Sequence, residues 1–296
     1  MKKLGKPESS SDVVNSEPKV LLIGYGWLGQ YYHKYFTQAD ITTSDGYQKK
    51  NYDHYDLAII GVPTPMNQET GQCDTSIVEN CVEKYKDVVD IFLIKSTVEI
   101  GTTDRIAKEQ NVKIAMSAEF LGETLGHPLV EPKRDNFLII GGEDETANKI
   151  AGYFHKVLNA NAPLFICSAK EAEIIKYAEN MWITQRVAYW QDVYEITQTF
   201  GVSFDRVREG IVLDPRMSRT HSFVYPDNRG FSGHCLPKDM SALTYIMRKK
   251  GKPLPIIEFL LDHNASYWRK DYNNNTQLLP NKPLWKKNEK NTSKSK

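Results

Sequence analysis

One cysteine stands where nucleophilic chemistry is expected. Cys235 lies in the segment GFSGHCLPKD at residues 230–239, just before a predicted helix whose second residue is Pro237. Proline is tolerated in the first turn of a helix because its missing N–H has no partner there. A cysteine at a helix N-terminus ionises more readily to the thiolate, which is the nucleophilic form. Asp239, four residues later, is expected on the same helix face, one turn along.

A second pair of polar residues lies one turn apart on a long predicted helix. Lys176 and Asn180 could direct an ammonium and an amide at one oxygen, which would stabilise an alkoxide or a tetrahedral oxyanion. The same spacing is also common on a solvated helix face, and both interpretations stay open. The remaining cysteines, Cys73, Cys81 and Cys167, are interpreted as inert.

The segment GYGWLG places Gly24, Gly26 and Gly29 in G-x-G-x-x-G spacing between a predicted strand and a helix. This context favours a dinucleotide site, in which the glycines allow a tight turn, backbone approach to the pyrophosphate and close helix–strand packing. Asp45 follows about twenty residues later, where a carboxylate accepts ribose hydroxyls and disfavours a 2′-phosphate. The motif therefore predicts NAD rather than NADP, and the alternative is a glycine-rich turn without a ligand.

Short apolar runs alternate with helical patterns through the first half of the chain. This alternation predicts an α/β fold with a doubly wound, Rossmann-type parallel sheet. Helices are expected to begin near Asp74 and Thr102 and to span 145–157. The predicted strands are 19–23, 41–43, 57–60, 91–95, 112–116, 137–142 and 163–167. Only eleven residues separate Asp45 from the strand at 57–60, too few for the usual crossover helix, so an open adenine pocket is expected.

A run without proline or glycine extends from Ala169 to about Phe200 after the predicted cap Ser168. It predicts a helix on the order of 45 Å long. Its apolar stripe indicates a homodimer, although packing within its own chain is the alternative. Helices at 203–211, 236–249 and 254–270 complete an all-helical dimerisation domain. The predicted division is 1–18 as a disordered lead-in, 19–168 as the NAD-binding domain, 169–272 as the helical domain and 273–296 as a disordered basic tail.

Charge and composition favour a soluble protein of the cytoplasm. The 296 residues carry a formal net charge of +1, with no bias toward nucleic acid or membrane. Residues 281–296 hold six Lys and one Glu, which is typical of a disordered tail rather than a nucleic-acid arm. The cysteines show no paired framework, and no apolar leader or long apolar run is present, as expected in a reducing cytosol.

Further segments follow the glycine motif in a fixed order. They are VPTP at 62–65, KSTVEIGTT at 95–103, AEFLGE at 118–123, EAEIIKYAEN at 171–180 and finally GFSGHCLPKD. In this order they resemble the UDP-glucose dehydrogenase family, which also includes UDP-N-acetylhexosamine and GDP-mannose dehydrogenases. The resemblance runs from about Lys19 to Arg269. It implies NAD as cofactor, a nucleotide-sugar substrate and a role in supplying polysaccharide precursors.

The resemblance also implies roles for single residues. Cys235 would trap an aldehyde as a thiohemiacetal that becomes a thioester, during oxidation of a primary alcohol to a carboxylate with two NAD. Glu119 would be a base for thioester hydrolysis, Thr97 would hold a water, and Asp239 would position or deprotonate water. The implied catalytic set is Cys235, Lys176, Asn180, Asp239, Glu119 and Thr97, without a metal.

The same resemblance implies two sets of binding residues. The cofactor set is Gly24, Tyr25, Gly26, Trp27, Leu28, Gly29, Asp45, Val62, Pro63, Thr64, Ser96 and Thr97. The substrate set is Glu119, Phe120, Leu121, Lys176, Asn180, Arg216, Phe231 and Gly233. Arg216 resembles an arginine that reaches the sugar of the neighbouring protomer.

The sequence departs from the family in three places. Family members carry a second Rossmann-like domain after the central helices, whereas this chain ends without strand–helix alternation. Gly122 replaces an arginine, and His234, beside the nucleophile, could tune the thiolate or be an ordinary loop residue. Because remote contacts normally hold the reacting carbon in place, substrate binding is expected to be weaker. Three functions stay open: a minimal nucleotide-sugar dehydrogenase, the same chemistry on a smaller alcohol or sugar phosphate, and a non-catalytic NAD-binding partner of a full-length relative.

Overall fold

Each strand of the single sheet is four residues long. A computed structural model describes residues 17–67, 69–120, 137–155, 162–233 and 235–268. The strands are β1 (Val20–Ile23), β2 (Asp40–Thr43), β3 (Gly46–Lys49), β4 (Leu57–Ile60), β5 (Ile91–Ile94), β6 (Lys113–Met116), β7 (Leu138–Gly141) and β8 (Leu164–Cys167). Every residue of β1, β4 and β5 is buried, as expected for central strands of a covered parallel sheet.

Helices cover both faces of this sheet. They are α1 (Trp27–His33), α2 (Ser76–Tyr85), α3 (Thr102–Gln110) and α4 (Asp144–His155). Apolar side chains of α1 and α4 pack in one core cluster, and those of α2 and α3 pack in a second cluster on the other face. The predicted doubly wound α/β fold is therefore confirmed.

The strand order is β3-β2-β1-β4-β5-β6-β7-β8. The central pairs are parallel, but β2–β3 and β6–β7 are antiparallel, which the sequence analysis did not predict. The helix after the glycine motif is short, with seven residues from Trp27 to His33. For α2 the N-cap is Thr75, while the carboxylate of Asp74 accepts a hydrogen bond from the Ser76 N–H at 2.9 Å.

The short connection after Asp45 contains β3 instead of a crossover helix. β3 returns antiparallel beside β2, and the chain then reaches β4 without leaving this edge of the sheet. The buried carboxylate of Asp40 holds the return: its Oδ2 accepts from the Asn51 and Tyr52 N–H groups at 2.6 and 2.9 Å and from the Tyr55 hydroxyl at 2.9 Å. Local hydrogen bonds to one carboxylate thus replace the packing of a helix.

Beyond the sheet, the described chain is helical. The elements are α5 (Ala169–Thr199), α6 (Phe204–Ile211), α7 (Leu236–Lys249) and α8 (Pro255–Trp268). Ser168 caps α5 as predicted, since its hydroxyl accepts from the Glu171 N–H while the Glu171 carboxylate accepts from the Ser168 N–H. The same helix docks on the sheet domain through Glu173, which is buried and accepts from the Gly101 and Thr103 N–H groups at the start of α3.

The two faces of α5 have different environments. One face packs on α7 and α8 around Tyr177, and near its C-terminal end Trp190 packs on α6. On the other face Ile174, Trp182 and Ile196 are between 49% and 60% exposed. Packing among the described residues therefore accounts for only one face of the helix, and the predicted homodimer stays a prediction.

Candidate active site

The glycine turn after β1 is closely packed on two sides and open on the third. Gly24 has φ +93°, and a Cβ there would lie 2.4 Å from the carbonyl oxygen of Gly61. A Cβ on Gly29 would lie 2.2 Å from the carbonyl oxygen of Gly24, so the helix and the turn require glycine at both positions. A Cβ on Gly26, the N-cap of α1, would meet no atom within 4 Å. The turn therefore leaves backbone approachable at Gly26, as pyrophosphate binding requires.

Loops at the carboxyl ends of β4 and β5 lie beside this turn. The Ser96 hydroxyl donates to the Val62 carbonyl at 2.6 Å, and the Val62 N–H donates back to the same hydroxyl oxygen at 3.1 Å. Thr64 donates to the carbonyl of Thr97 at 2.7 Å. Four predicted cofactor residues thus hold one another in place at the sheet edge where parallel strands bind ligands.

The remaining predicted cofactor residues are mostly accessible. Asp45 is exposed in the turn after β2, and Trp27 is 53% exposed at the start of α1. The hydroxyl of Tyr25 lies 2.7 Å from Nδ1 of His33. Pro63 is exposed and Leu28 is half-buried. These positions are compatible with a dinucleotide lying across the ends of the strands.

Cys235 is exposed at the N-cap of α7, with Pro237 as the second helical residue, as the sequence predicts. The Asp239 N–H donates to the carbonyl of Cys235 at 2.9 Å, which closes the first turn of α7. The other free cysteines are buried or half-buried, and burial raises the pKa of the Cys73, Cys81 and Cys167 thiols. Exposure therefore singles out Cys235 among the four.

Asp239 is buried between two donors, one on each side. Asn180 donates to its Oδ2 at 2.6 Å, and the ammonium of Lys238 donates to its Oδ1 at 2.5 Å. Burial acts to lower the pKa of Lys238, but the Asp239 carboxylate opposes this and the pKa is raised on balance. Sequence reasoning missed Lys238, although it stands inside the quoted segment around Cys235. We call Asn180, Lys238 and Asp239 the helix-side cluster.

Lys176 lies one turn before Asn180 on α5. Both residues are more than nine-tenths buried, so they do not form a solvated helix face. The ammonium of Lys176 donates to the carboxylate of Glu179 at 2.9 Å and lies 4.8 Å from the centre of the Phe120 ring. Lys176 thereby brings α5 into contact with the segment after β6.

Glu119 belongs to a second polar cluster, on the sheet side of Lys176. Its Oε2 accepts from the Tyr32 hydroxyl at 2.8 Å and lies 4.0 Å from the ammonium of Lys95. Lys95 is 3% exposed, and burial lowers its pKa to about 8 although the Glu119 carboxylate acts to raise it. No pattern in the sequence indicated a role for Tyr32. Lys95 is the first residue of the segment KSTVEIGTT, but no role was predicted for it. We call Tyr32, Lys95 and Glu119 the sheet-side cluster.

Four other predicted positions lie apart from these clusters or outside the described residues. The side chain of Arg216 is 87% exposed and pairs with Asp214 in the turn after α6. Phe231 is buried under α8, where its N–H and carbonyl both bond to the Asn264 amide. Gly233, at φ +82°, lies two residues before Cys235. Leu121, like Gly122 and His234, lies outside the described residues.

Two family models match most of the chain. Residues 19–159 match the NAD binding domain of the UDP-glucose/GDP-mannose dehydrogenase family, and residues 170–266 match the central domain of the same family. The gap between the two matches, residues 160–169, contains β8 and the first residue of α5.

Individual relatives agree with these matches. A UDP-glucose 6-dehydrogenase of Campylobacter jejuni is 26% identical over 281 residues, covering 80% of this chain and 70% of that protein. UDP-glucose 6-dehydrogenase TuaD of Bacillus subtilis is 27% identical over 220 residues, covering 71% of this chain but 46% of that protein. The chain thus spans between about half and 70% of the length of these relatives.

The fold also matches a solved structure. A UDP-glucose dehydrogenase from the archaeon Pyrobaculum islandicum superposes with a TM-score of 0.72 at 22% identity, over 90% of this chain and 71% of that one. The chain belongs to the UDP-glucose/GDP-mannose dehydrogenase family, and its sheet with the glycine turn is the NAD-binding domain of that family.

Proposed function

We propose that this protein oxidises the primary alcohol of a nucleotide sugar to the carboxylate, through a covalent intermediate on Cys235. One observation carries the proposal. The exposed thiol stands at the N-terminus of α7, and the same helical turn presents the buried carboxylate of Asp239, which is bonded to Asn180. The relatives that match both regions are named UDP-glucose 6-dehydrogenases, which favours a UDP-sugar.

Cationic and amide donors act on the reacting oxygen, and the thiol acts on the reacting carbon. NAD held at the turn of Gly24, Gly26 and Gly29 would supply the hydride acceptor for both oxidations, alcohol to aldehyde and thiohemiacetal to thioester, and the proton of the alcohol would pass to water. Lys176 is buried and cationic beside the Asn180 amide, and together they stabilise negative charge on the reacting oxygen. The Cys235 sulfur adds to the aldehyde carbon, so that the carbonyl oxygen becomes the oxygen that these donors stabilise.

Hydrolysis completes the reaction. Glu119 accepts a proton from a water whose oxygen bonds to the thioester carbon, the C–S bond breaks, and the Cys235 sulfur leaves as thiolate. The product is the sugar carboxylate. Thr97, whose carbonyl accepts hydrogen bonds from Thr64 and Cys73, is proposed to hold that water through its hydroxyl.

Two further properties belong to this proposal. The exposed apolar face of α5 is proposed as the homodimer contact, because it leaves large side chains such as Trp182 in water. A reducing cytoplasm is proposed as the location, because a catalytic thiol must stay reduced and none of the four cysteines, all of which the structure describes, is in a disulfide.

The test is NADH formation with a panel of UDP- and GDP-sugars, in wild type, Cys235→Ala and the matched variant Cys81→Ala. We expect NADH formation with release of the sugar carboxylate from a UDP-sugar in wild type and Cys81→Ala, and no sugar carboxylate from Cys235→Ala, with NAD binding by calorimetry intact in all three. Turnover on smaller alcohols or sugar phosphates, but on no nucleotide sugar, would show that the proposed substrate class is wrong. NAD binding without any turnover would instead identify a non-catalytic partner protein.

A further inference from the structure

The sheet-side cluster joins the cofactor helix to the segment that carries Glu119. Tyr32 lies on α1, five residues after the N-terminus of that helix, and its ring is buried. Lys95 follows β5 directly, and Glu119 lies three residues beyond β6. Three separate elements therefore converge on one carboxylate.

Two charged groups of the described residues act on the buried ammonium of Lys95: the Glu119 carboxylate raises its pKa, and the Lys176 ammonium acts with burial to lower it. The Nζ of Lys95 donates to the Ser117 hydroxyl at 3.2 Å and the Ala118 carbonyl at 3.5 Å, and it lies 5.0 Å from the centre of the Tyr32 ring. The carboxylate of Glu119 lies 4.0 Å away, at the limit of an ion pair. Burying an ammonium with so loose a partner is costly, and a purely structural core would favour an apolar side chain here.

The two oxygens of Glu119 are held from different sides. Oε2 accepts a hydrogen bond from the Tyr32 hydroxyl and faces Lys95. Oε1 accepts from the Phe120 N–H at 2.8 Å. Burial raises the pKa of Tyr32 well above its usual range, so its hydroxyl keeps the proton that it donates. The ring of Phe120 in turn lies under the ammonium of Lys176.

We propose that Tyr32 and Lys95 are positioning residues, which hold the carboxylate of Glu119 in the orientation needed for hydrolysis of the intermediate on Cys235. This inference rests on the proposed function and deepens it. Neither residue touches the reacting atoms: each acts through Glu119. The step they support is the attack of water on the thioester carbon, in which Glu119 receives the water proton and the Cys235 thiolate leaves.

Tyr32→Phe is the direct variant, because it removes one hydroxyl and keeps the ring beneath Lys95. Loss of a hydrogen bond to a charged group corresponds to a slowing on the order of tenfold. We expect hydrolysis to slow by that factor while the first NADH forms at the wild-type rate. The covalent sugar adduct on Cys235 should then accumulate and be visible by intact-protein mass spectrometry.

Tyr31→Phe is the matched control, since Tyr31 neighbours Tyr32 on α1 and its hydroxyl lies 3.3 Å from that of Tyr35. It should leave adduct levels at the wild-type value. In a Glu119→Gln background, Tyr32→Phe should have no further effect on hydrolysis, because its only route of action has been removed. A similar loss in both backgrounds, or no adduct in Tyr32→Phe while wild type turns over, would overturn the proposal.

A measurement without turnover separates this proposal from the proposed function. In ¹⁵N NMR of the lysine side chains, Lys95 should titrate near its pKa of about 8 and at lower pH in Glu119→Gln, because the carboxylate raises that pKa. An unchanged Lys95 titration would overturn the positioning proposal even in an active enzyme. An inactive wild type with the expected Lys95 titration would overturn the proposed function and the hydrolytic role, while showing that the Lys95 and Glu119 side chains are coupled.

Discussion

The two polar clusters each place a lysine beside a carboxylate, but with opposite effects on the pKa of the lysine. In the helix-side cluster the Lys238 ammonium contacts Asp239 at 2.5 Å, and the pKa of Lys238 is raised on balance. In the sheet-side cluster Lys95 lies 4.0 Å from Glu119, and burial lowers its pKa to about 8. A lysine beside a carboxylate is therefore a fixed charge in one place and a titratable group in the other, and distance and burial decide which.

The largest expected difference between the clusters concerns pH and Lys95. Its pKa is about 8 in the folded chain against 10.5 ordinarily, so between these values the unfolded chain binds more protons and stability rises with pH. Relative to Lys95→Met, the wild-type free energy of unfolding should gain on the order of 3 kcal/mol across this window. Urea unfolding at several pH values measures it.

Lys113→Met is the control for that series. Lys113 is exposed and its pKa is raised by the hydrogen bond with Glu145, so any change should be small and of opposite sign. A flat difference between wild type and Lys95→Met would show that the Lys95 ammonium is not penalised by burial, and the contrast between the clusters would be lost.

A smaller effect is expected from the helix-side cluster. Asp239→Asn removes the negative charge beside Lys238 and should lower the free energy of unfolding at neutral pH by about 2 kcal/mol. The exposed Asp53, whose side chain is 97% exposed beside Lys50, provides the matched variant Asp53→Asn with an expected change below about 0.5 kcal/mol. Equal losses in the two variants would mean that the buried pair contributes no more than a surface pair.

Tyr32→Phe should lower the free energy of unfolding by about 1 kcal/mol, since one hydrogen bond to a carboxylate is lost without a large cavity. Thermal unfolding at neutral pH measures this effect. Combined with Lys95→Met, the two losses should be non-additive, because both residues act on the same oxygen of Glu119. Strict additivity would separate Tyr32 from the sheet-side cluster.

The smallest effect is expected at Glu179, which pairs with Lys176 between the clusters and has a side chain that is 31% exposed. Partly exposed ion pairs contribute little, so Glu179→Gln should change the free energy of unfolding by less than about 0.5 kcal/mol. A loss as large as that of Asp239→Asn would make Lys176 part of one continuous network and remove the distinction between two clusters.

Local signals in the sequence were enough for most of the fold. Apolar runs of four residues predicted the strands, and Ser168 with Glu171 predicted the start of α5, because these features act through neighbours in sequence. Strand β3 and the antiparallel pairing of β7 with β6 were not predicted. Their pairing depends on contacts between distant segments, and at β3 on a buried Asp40 whose partners come ten or more residues later.

In the candidate site, too, motifs predicted some residues, while others depend on contacts between distant parts of the chain. Motif spacing brought Cys235, Asp239 and Asn180 to attention, and the structure brings the latter two into direct contact. Tyr32 was not foreseen, because its contact with Glu119 joins residues 87 positions apart and belongs to no motif. Lysines such as Lys95 acquire their chemistry from burial, which a motif does not encode.

The central claim is the double oxidation, and counting hydride equivalents tests it most directly. Enzyme in excess over a limiting amount of UDP-glucose, with saturating NAD, should form two NADH per sugar and release the sugar carboxylate, whereas Cys235→Ala should not complete the second oxidation. One NADH per sugar with free aldehyde as the product of wild type would contradict the account, because the thiol of Cys235 would then have no part in the reaction.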